Sequence, residues 1–103
     1  MYKIIFYTPQ SHAEQIKNAM FEKGAGKIGD YACCSFQTIG EGQFMPLSGS
    51  NAFIGHIDKL EKISEIKVEM VCDDKFIRDV IAALKKTHPY ETPAYQVLRI
   101  EDF

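Results

Sequence analysis

Residues Tyr2 to Thr8 carry β-branched and aromatic side chains at nearly every position. A run that is apolar on both alternating faces predicts a strand in the middle of a sheet. Pro9 ends it, because proline has no N–H to give a ladder. The period then turns helical, with Ala13, Ile16, Ala19 and Met20 on one stripe. Ser11-His12-Ala13-Glu14 has the S-x-x-E form of a capping box, and Gly24 stands where a helix-closing C′ residue belongs. Asp30 to Thr38 predicts a second strand, with Tyr31, Cys33 and Phe36 as its bulky members. Gly40-Glu41-Gly42, set between Thr38-Ile39 and Gln43-Phe44-Met45, predicts a tight hairpin turn. Pro46 to Gly55 predicts a loop, and a long excursion in a small domain is often functional.

Ile57, Leu60 and Ile63 fit a short strand or one helical turn in a mixed-charge segment, with the strand favoured. Glu65 to Val71 alternates cleanly: Ile66, Val68 and Met70 on one side, Glu65, Lys67 and Glu69 on the other. Asp73 or Asp74 caps a second helix carrying Phe76, Ile77, Val80, Ile81 and Leu84 at helical spacing. Lys85 and Lys86 suit its negative end, and Pro89 forbids continuation. Tyr95 to Ile100 predicts the last strand. The order is that of an α+β, ferredoxin-like split βαβ unit (βαββαβ) with an extra hairpin. One apolar stripe per helix puts both helices on the same face of an antiparallel sheet. The other face keeps apolar members of the first and last strands, so the chain is expected to be a homo-oligomer.

Composition narrows the classes. A chain of 103 residues, 46% apolar and 25% charged, predicts one globular domain over residues 1–103. A formal charge of −2, with no basic stripe, argues against nucleic acid as a partner. No apolar run approaches the roughly 18 residues of a membrane span, and the N-terminus lacks a signal-peptide pattern. The three cysteines are odd in number, and the neighbours Cys33 and Cys34 would face opposite ways in a strand, which points to reduced thiols and a cytoplasmic location. Gly24-x-Gly26-x-x-Gly29 matches a dinucleotide fingerprint in letters only. It follows a helix and precedes a strand, whereas phosphate binding needs the reverse order.

The second helix runs into Lys85-Lys86-Thr87-His88-Pro89-Tyr90-Glu91-Thr92-Pro93-Ala94, which resembles the His-Pro-Tyr-Glu-x-Pro turn of CutA-like proteins. Upstream, Gly26-x-Ile28-Gly29-x-Tyr31, Cys34-Ser35-Phe36, Gly40-x-Gly42-x-Phe44-x-Pro46, Gly49-x-Asn51 and Ile54-Gly55 resemble the insert module of the YqfO, or Nif-three-like, family. The resemblance runs over nearly the whole chain, with Ala52 standing where proline is expected. It implies a PII/CutA-like module, often trimeric, here standing alone. The halves that form a dinuclear metal site in full-length members do not fit into 103 residues, so their chemistry is not carried over.

What remains is a non-catalytic oligomeric module that senses a small ligand or mediates protein assembly, with a trimer expected. Its ligand or interface candidates are Tyr31, Ser35, Phe44, Asn51, His88, Tyr90 and Glu91. Ligand would sit between subunits, near the Gly40 to Gly55 excursion and the His88 to Pro93 turn. One alternative is a copper or other divalent metal site built from His88, Glu91 and Cys34, with Cys33, Cys72 and His56 as further donors. Against it, no C-x-x-C or H-x-x-x-H pair fixes two ligands locally. A second alternative is a small hydrolase using Ser35 or Cys34 with His88 as base, although no nucleophile-elbow motif accompanies them. The cofactor is unknown.

Overall fold

The computed structural model describes all residues from Met1 to Phe103. Its elements are strand β1 (Tyr2–Thr8), helix α1 (Gln10–Glu22), strand β2 (Phe36–Phe44), strand β3 (Glu61–Cys72), helix α2 (Ile77–Thr87) after a short 3₁₀ turn (Asp74–Phe76), and strand β4 (Tyr95–Arg99). The strands form one antiparallel sheet in the order β2-β3-β1-β4. The largely apolar first strand is indeed central.

Register explains the layering. Ile4 lies opposite Met70, Phe6 opposite Val68 and Thr8 opposite Ile66, so these six share one face. That face is dry: the six are buried beneath Ala13, Ile16 and Met20 of α1 and Val80 and Leu84 of α2. Val97 and Tyr95 of β4, opposite Ile4 and Phe6, pack at its margin. The intervening residues Lys3, Ile5, Tyr7, Glu65, Lys67 and Glu69 must project from the opposite face, which no helix covers. Lys3 and Glu69 pair there at 2.8 Å.

The helix ends follow local chemistry. Gly24, at φ +116°, closes α1 in a Schellman arrangement: its N–H donates to Phe21 O, and the Ala25 N–H donates to Met20 O. The Asp73 carboxylate accepts from the Lys75 N–H and opens the turn into α2. The expected capping box does not form. Helix α1 begins two residues earlier, at Gln10 with Pro9 in the N-cap position, so Ser11 lies inside the first turn and its hydroxyl meets His12 Nδ1 instead.

Three expectations are corrected. Residues 30–35 are not a strand: Gly26, Gly29 and Cys33 hold positive φ, and the segment bends with a single bridge between Ile28 and Tyr31. Cys33 and Cys34 are therefore not alternating strand neighbours. Gly40-Glu41-Gly42 is not a turn either, so the extra hairpin is absent; these residues run straight through β2, paired to Glu65, Ser64 and Ile63. Gly42 supplies room rather than curvature, because a Cβ there would lie 1.7 Å from Glu65 Oε1. Ile63 belongs to β3, which starts at Glu61 and is far longer than the predicted 65–71.

The long β3 has a geometric consequence. Only Ile66–Cys72 pair with β1, so Glu61–Glu65 and Gly40–Phe44 project as a two-stranded ribbon. Such a ribbon is marginal alone and needs packing support. The overall extents of 46 × 24 × 24 Å reflect this arm. No helix of the chain is long and apolar enough to cross a membrane.

Phe6 is fully buried between the two layers. Phe6→Ala is expected to lower the unfolding free energy by about 3–5 kcal/mol in urea titration, the range for emptying a packed aromatic site. A loss below about 1 kcal/mol would show that the layers do not close over it.

Candidate functional site

Three segments meet at the end of the sheet marked by Tyr7: the projecting ribbon, the 45–60 excursion, and the turn from His88 to Ala94. The turn is built first. Pro89 forces the residue before it into an extended conformation, and His88 adopts φ −66°, ψ 136° while its N–H still donates to Leu84 O. This ends α2 and swings the imidazole inward. His88 Nε2–H donates to Tyr7 O at 2.7 Å, and the Tyr90 N–H donates to Nδ1 at 3.1 Å. Both ring nitrogens are thus engaged with backbone, which fixes one neutral tautomer. Burial holds the pKa of His88 below its usual value, opposed by the bond to Tyr7 O and by Glu65.

Tyr90 then stands over the ribbon. Its hydroxyl donates to Glu65 Oε2 at 3.2 Å, and the Glu65 carboxylate occupies the space left by the missing side chain of Gly42. Burial, reinforced by Glu65, pushes the Tyr90 phenol well above its usual range, so it stays protonated and a donor. The excursion closes the third side. It folds on itself through Asp58 N–H to Pro46 O and Ser50 N–H to Leu47 O. It docks through the Asn51 N–H, which donates to Glu91 Oε2 at 2.9 Å. Phe53, still 55% exposed, lies beside His12 and Tyr90, with ring centroids 5.6 and 6.4 Å away. Phe44 of the ribbon approaches Tyr90 at 6.2 Å.

The result is a cavity of about 590 Å³ whose walls include Tyr7, Phe44, Phe53, Glu65, Tyr90 and Glu91. Its size and its mainly apolar lining with a few fixed polar groups are those of a small-molecule site. The side-chain atom Ser50 Oγ, in the same wall, is buried without a hydrogen-bond partner.

Of the sequence candidates, Phe44, Tyr90 and Glu91 line this cavity, Asn51 clamps its lid, and His88 stands behind it as a brace. Tyr31 and Ser35 lie elsewhere. Ser35 and Cys34 border a shallow depression beside Lys3, Phe36 and Glu69. The stretch of β1 from Lys3 to Tyr7, roughly 13 Å of extended chain, separates that depression from the cavity. Tyr31 is 75% exposed in the loop before β2.

Two chemical expectations fail on this geometry. Cys34 does not approach His88 and Glu91, Cys72 is buried at the far end of β3, and no three His, Cys, Asp or Glu side chains converge as a metal site. Burial, aided by Asp73 and Asp74, also raises the Cys72 thiol pKa, which keeps it protonated. His88 does not serve Ser35 or Cys34 as a base, since it lies at the other end of β1 and both its nitrogens are occupied. Sequence reasoning missed Tyr7, Glu65, Phe53 and Ser50. Glu65 had a signal in the glycines that face it across the ribbon; Phe53 had one as the sole aromatic residue of the 46–55 loop.

No protein-family model matches the chain. It is 40% identical over 97 residues to a protein of Halalkalibacterium halodurans named GTP cyclohydrolase 1 type 2 homolog, covering 94% of this chain and 26% of that protein. The protein of the same name from Bacillus subtilis is 39% identical over 99 residues, covering 96% and 26%. The chain thus spans about a quarter of the length of these relatives. Among solved structures, a Bacillus cereus protein related to NIF3 superposes with a TM-score of 0.84 at 34% identity, over 98% of this chain and 26% of that one. CutA1 from Pyrococcus horikoshii gives 0.73 at 14% identity over 100% and 86%, and a PII-like CutA from Nostoc gives 0.70 at 16% over 98% and 82%. The last two show the fold alone.

His88 provides a test of how this end of the sheet is held. Its folded pKa lies below its unfolded one, so the unfolded chain binds the extra proton and stability falls as pH drops below about 6.5. His88→Asn is expected to cost about 1–3 kcal/mol at neutral pH, from unpaired backbone groups, and to flatten this acid-side decline. Equal declines in parent and variant, followed by thermal melts between pH 7.5 and 5.5, would contradict the neutral brace.

Proposed function

Taking the chain as the CutA/PII-like module carried by the NIF3-related GTP cyclohydrolase 1 type 2 homologs, we propose that it is a non-catalytic, oligomeric ligand-sensing module. The observation that carries this reading is the cavity at the Tyr7 end of the sheet. It joins the two stretches that a scaffold does not need: a 45–60 excursion without regular structure, and a turn braced by His88. Binding residues held on loops by a rigid sheet are the usual arrangement for recognition. The non-catalytic part is supported by the position of His88, whose two ring nitrogens are both taken by backbone groups at the opposite end of β1 from Ser35 and Cys34.

The oligomeric part is supported by the uncovered surfaces. Strand β2 is an edge, paired on one side only, and carries Phe36 at 69% and Ile39 at 67% exposure. Leu98, at 49%, projects from the helix-free face with Ile5 and Val71. Apolar side chains on an open edge and open face are expected to be shielded by further copies of the chain. A trimer is the reading, with the cavity beside the contact, because Tyr7, Phe44 and Glu65 share that face. Three unpaired cysteines support a reducing, cytoplasmic setting.

Light scattering is expected to give about three times the 11.7 kDa chain mass, and Phe36→Asp to give a folded, smaller species. In a thermal-shift screen of small metabolites, a binder should stabilise the parent and not Phe53→Ala, which removes one wall of the cavity. A monomeric parent at micromolar concentration, or ligands that stabilise both chains alike, would refute the corresponding half of the reading.

A further inference from the structure

The charge pattern of the cavity says more about its occupant than its size does. The wall contains Glu41, Glu65 and Glu91, and no lysine, arginine or histidine. None of these carboxylates takes part in an ion pair; the four ion pairs of the chain are Met1–Asp74, Lys3–Glu69, Lys17–Glu14 and Arg99–Asp74. Glu65 and Glu91 are held by neutral donors, the Tyr90 hydroxyl and the Asn51 amide, which orient the carboxylates without cancelling their charge. Aromatic rings face the same space. Phe44 and Phe53 flank Tyr90, and a ring face attracts a cation through its quadrupole. The Tyr90 phenol donates to Glu65 and stays neutral.

Resting on the reading of this cavity as a ligand site, we infer that its ligand is a small organic cation: an ammonium or guanidinium group on an apolar body. The charge sits beside Glu65 and the Tyr90 ring, and the apolar body lies against Phe44 and Phe53. A phosphate or carboxylate ligand would face uncompensated like charge with no basic side chain to receive it. A bare metal ion would lack a converging third donor. A neutral ligand would leave the partly buried Glu65 carboxylate beside it without a counter-charge.

The test uses three probes of similar size on the intact chain: benzyltrimethylammonium, benzyl alcohol and benzoate, each titrated while NMR resonances of Phe44, Phe53 and Tyr90 are followed. Glu65→Gln keeps an acceptor for the Tyr90 hydroxyl and removes the charge; Phe53→Ala opens the wall. The same spectra report whether each variant is folded. Benzyltrimethylammonium is expected to move these resonances and to bind at least about tenfold more tightly than either other probe. Glu65→Gln is expected to weaken it by about tenfold and to leave benzyl alcohol unchanged. Benzyl alcohol or benzoate binding at this cavity as tightly as the cation overturns the inference and leaves the ligand-site reading standing. If no probe moves these resonances and no metabolite stabilises the chain, both fall together.

Discussion

The structure depends on one constraint, the pairing register of β1 with β3. Opposing Ile4 to Met70, Phe6 to Val68 and Thr8 to Ile66 makes one face of the sheet continuous and dry. Each large side chain there adds roughly 1.5–3 kcal/mol on burial, and no other part of the chain offers a comparable apolar surface. A slip by one residue would turn either Lys3 of β1 or Lys67 and Glu69 of β3 toward the helices, so the register is strongly enforced. The same constraint sends Tyr7 and Glu65 to the opposite face. The candidate site is thus a by-product of how the core is satisfied.

The second level of organisation is at the Tyr7 end, where three weakly self-sufficient pieces hold one another. The ribbon beyond β1, the unstructured excursion and the proline-bounded turn each bury little alone. Tyr90 links all three: its backbone meets His88, its hydroxyl Glu65, and its ring Phe44 and Phe53. Gly42 makes that possible by yielding space to the Glu65 carboxylate. The cavity is therefore framed by a buried brace on one side and by contacts of modest individual strength on the others.

The sequence made the layered part legible because periodicity reports burial directly. Tyr2–Thr8, the alternation at Ile66, Val68 and Met70, the stripe on α2 and the C′ role of Gly24 could all be read locally. What failed was glycine. Gly40 and Gly42 carry a turn signal, yet serve as strand residues; Gly42 does so because the Glu65 carboxylate fills the space a side chain would take, while Gly40 stands in open space. Residues 30–35 failed for the opposite reason: bulky side chains suggested a strand, while Gly26, Gly29 and Cys33 bend the backbone away from one. Of the site, the His88–Glu91 turn and Phe44 stood out as a motif. Tyr7, Phe53 and Glu65 did not, since each joins the cavity through partners distant in sequence. The thiols drew notice by residue type alone, and their separation from His88 exists only in three dimensions.

The account stands or falls on the excursion being seated over the end of the sheet, with Phe53 beside His12 and Tyr90. Nuclear Overhauser contacts among these rings in the free protein test it most directly. The account predicts cross-peaks from the Phe53 ring to both neighbours, together with a slowly exchanging Asn51 amide. Random-coil shifts across residues 45–60, with no contact from Phe53 to either ring, would contradict it.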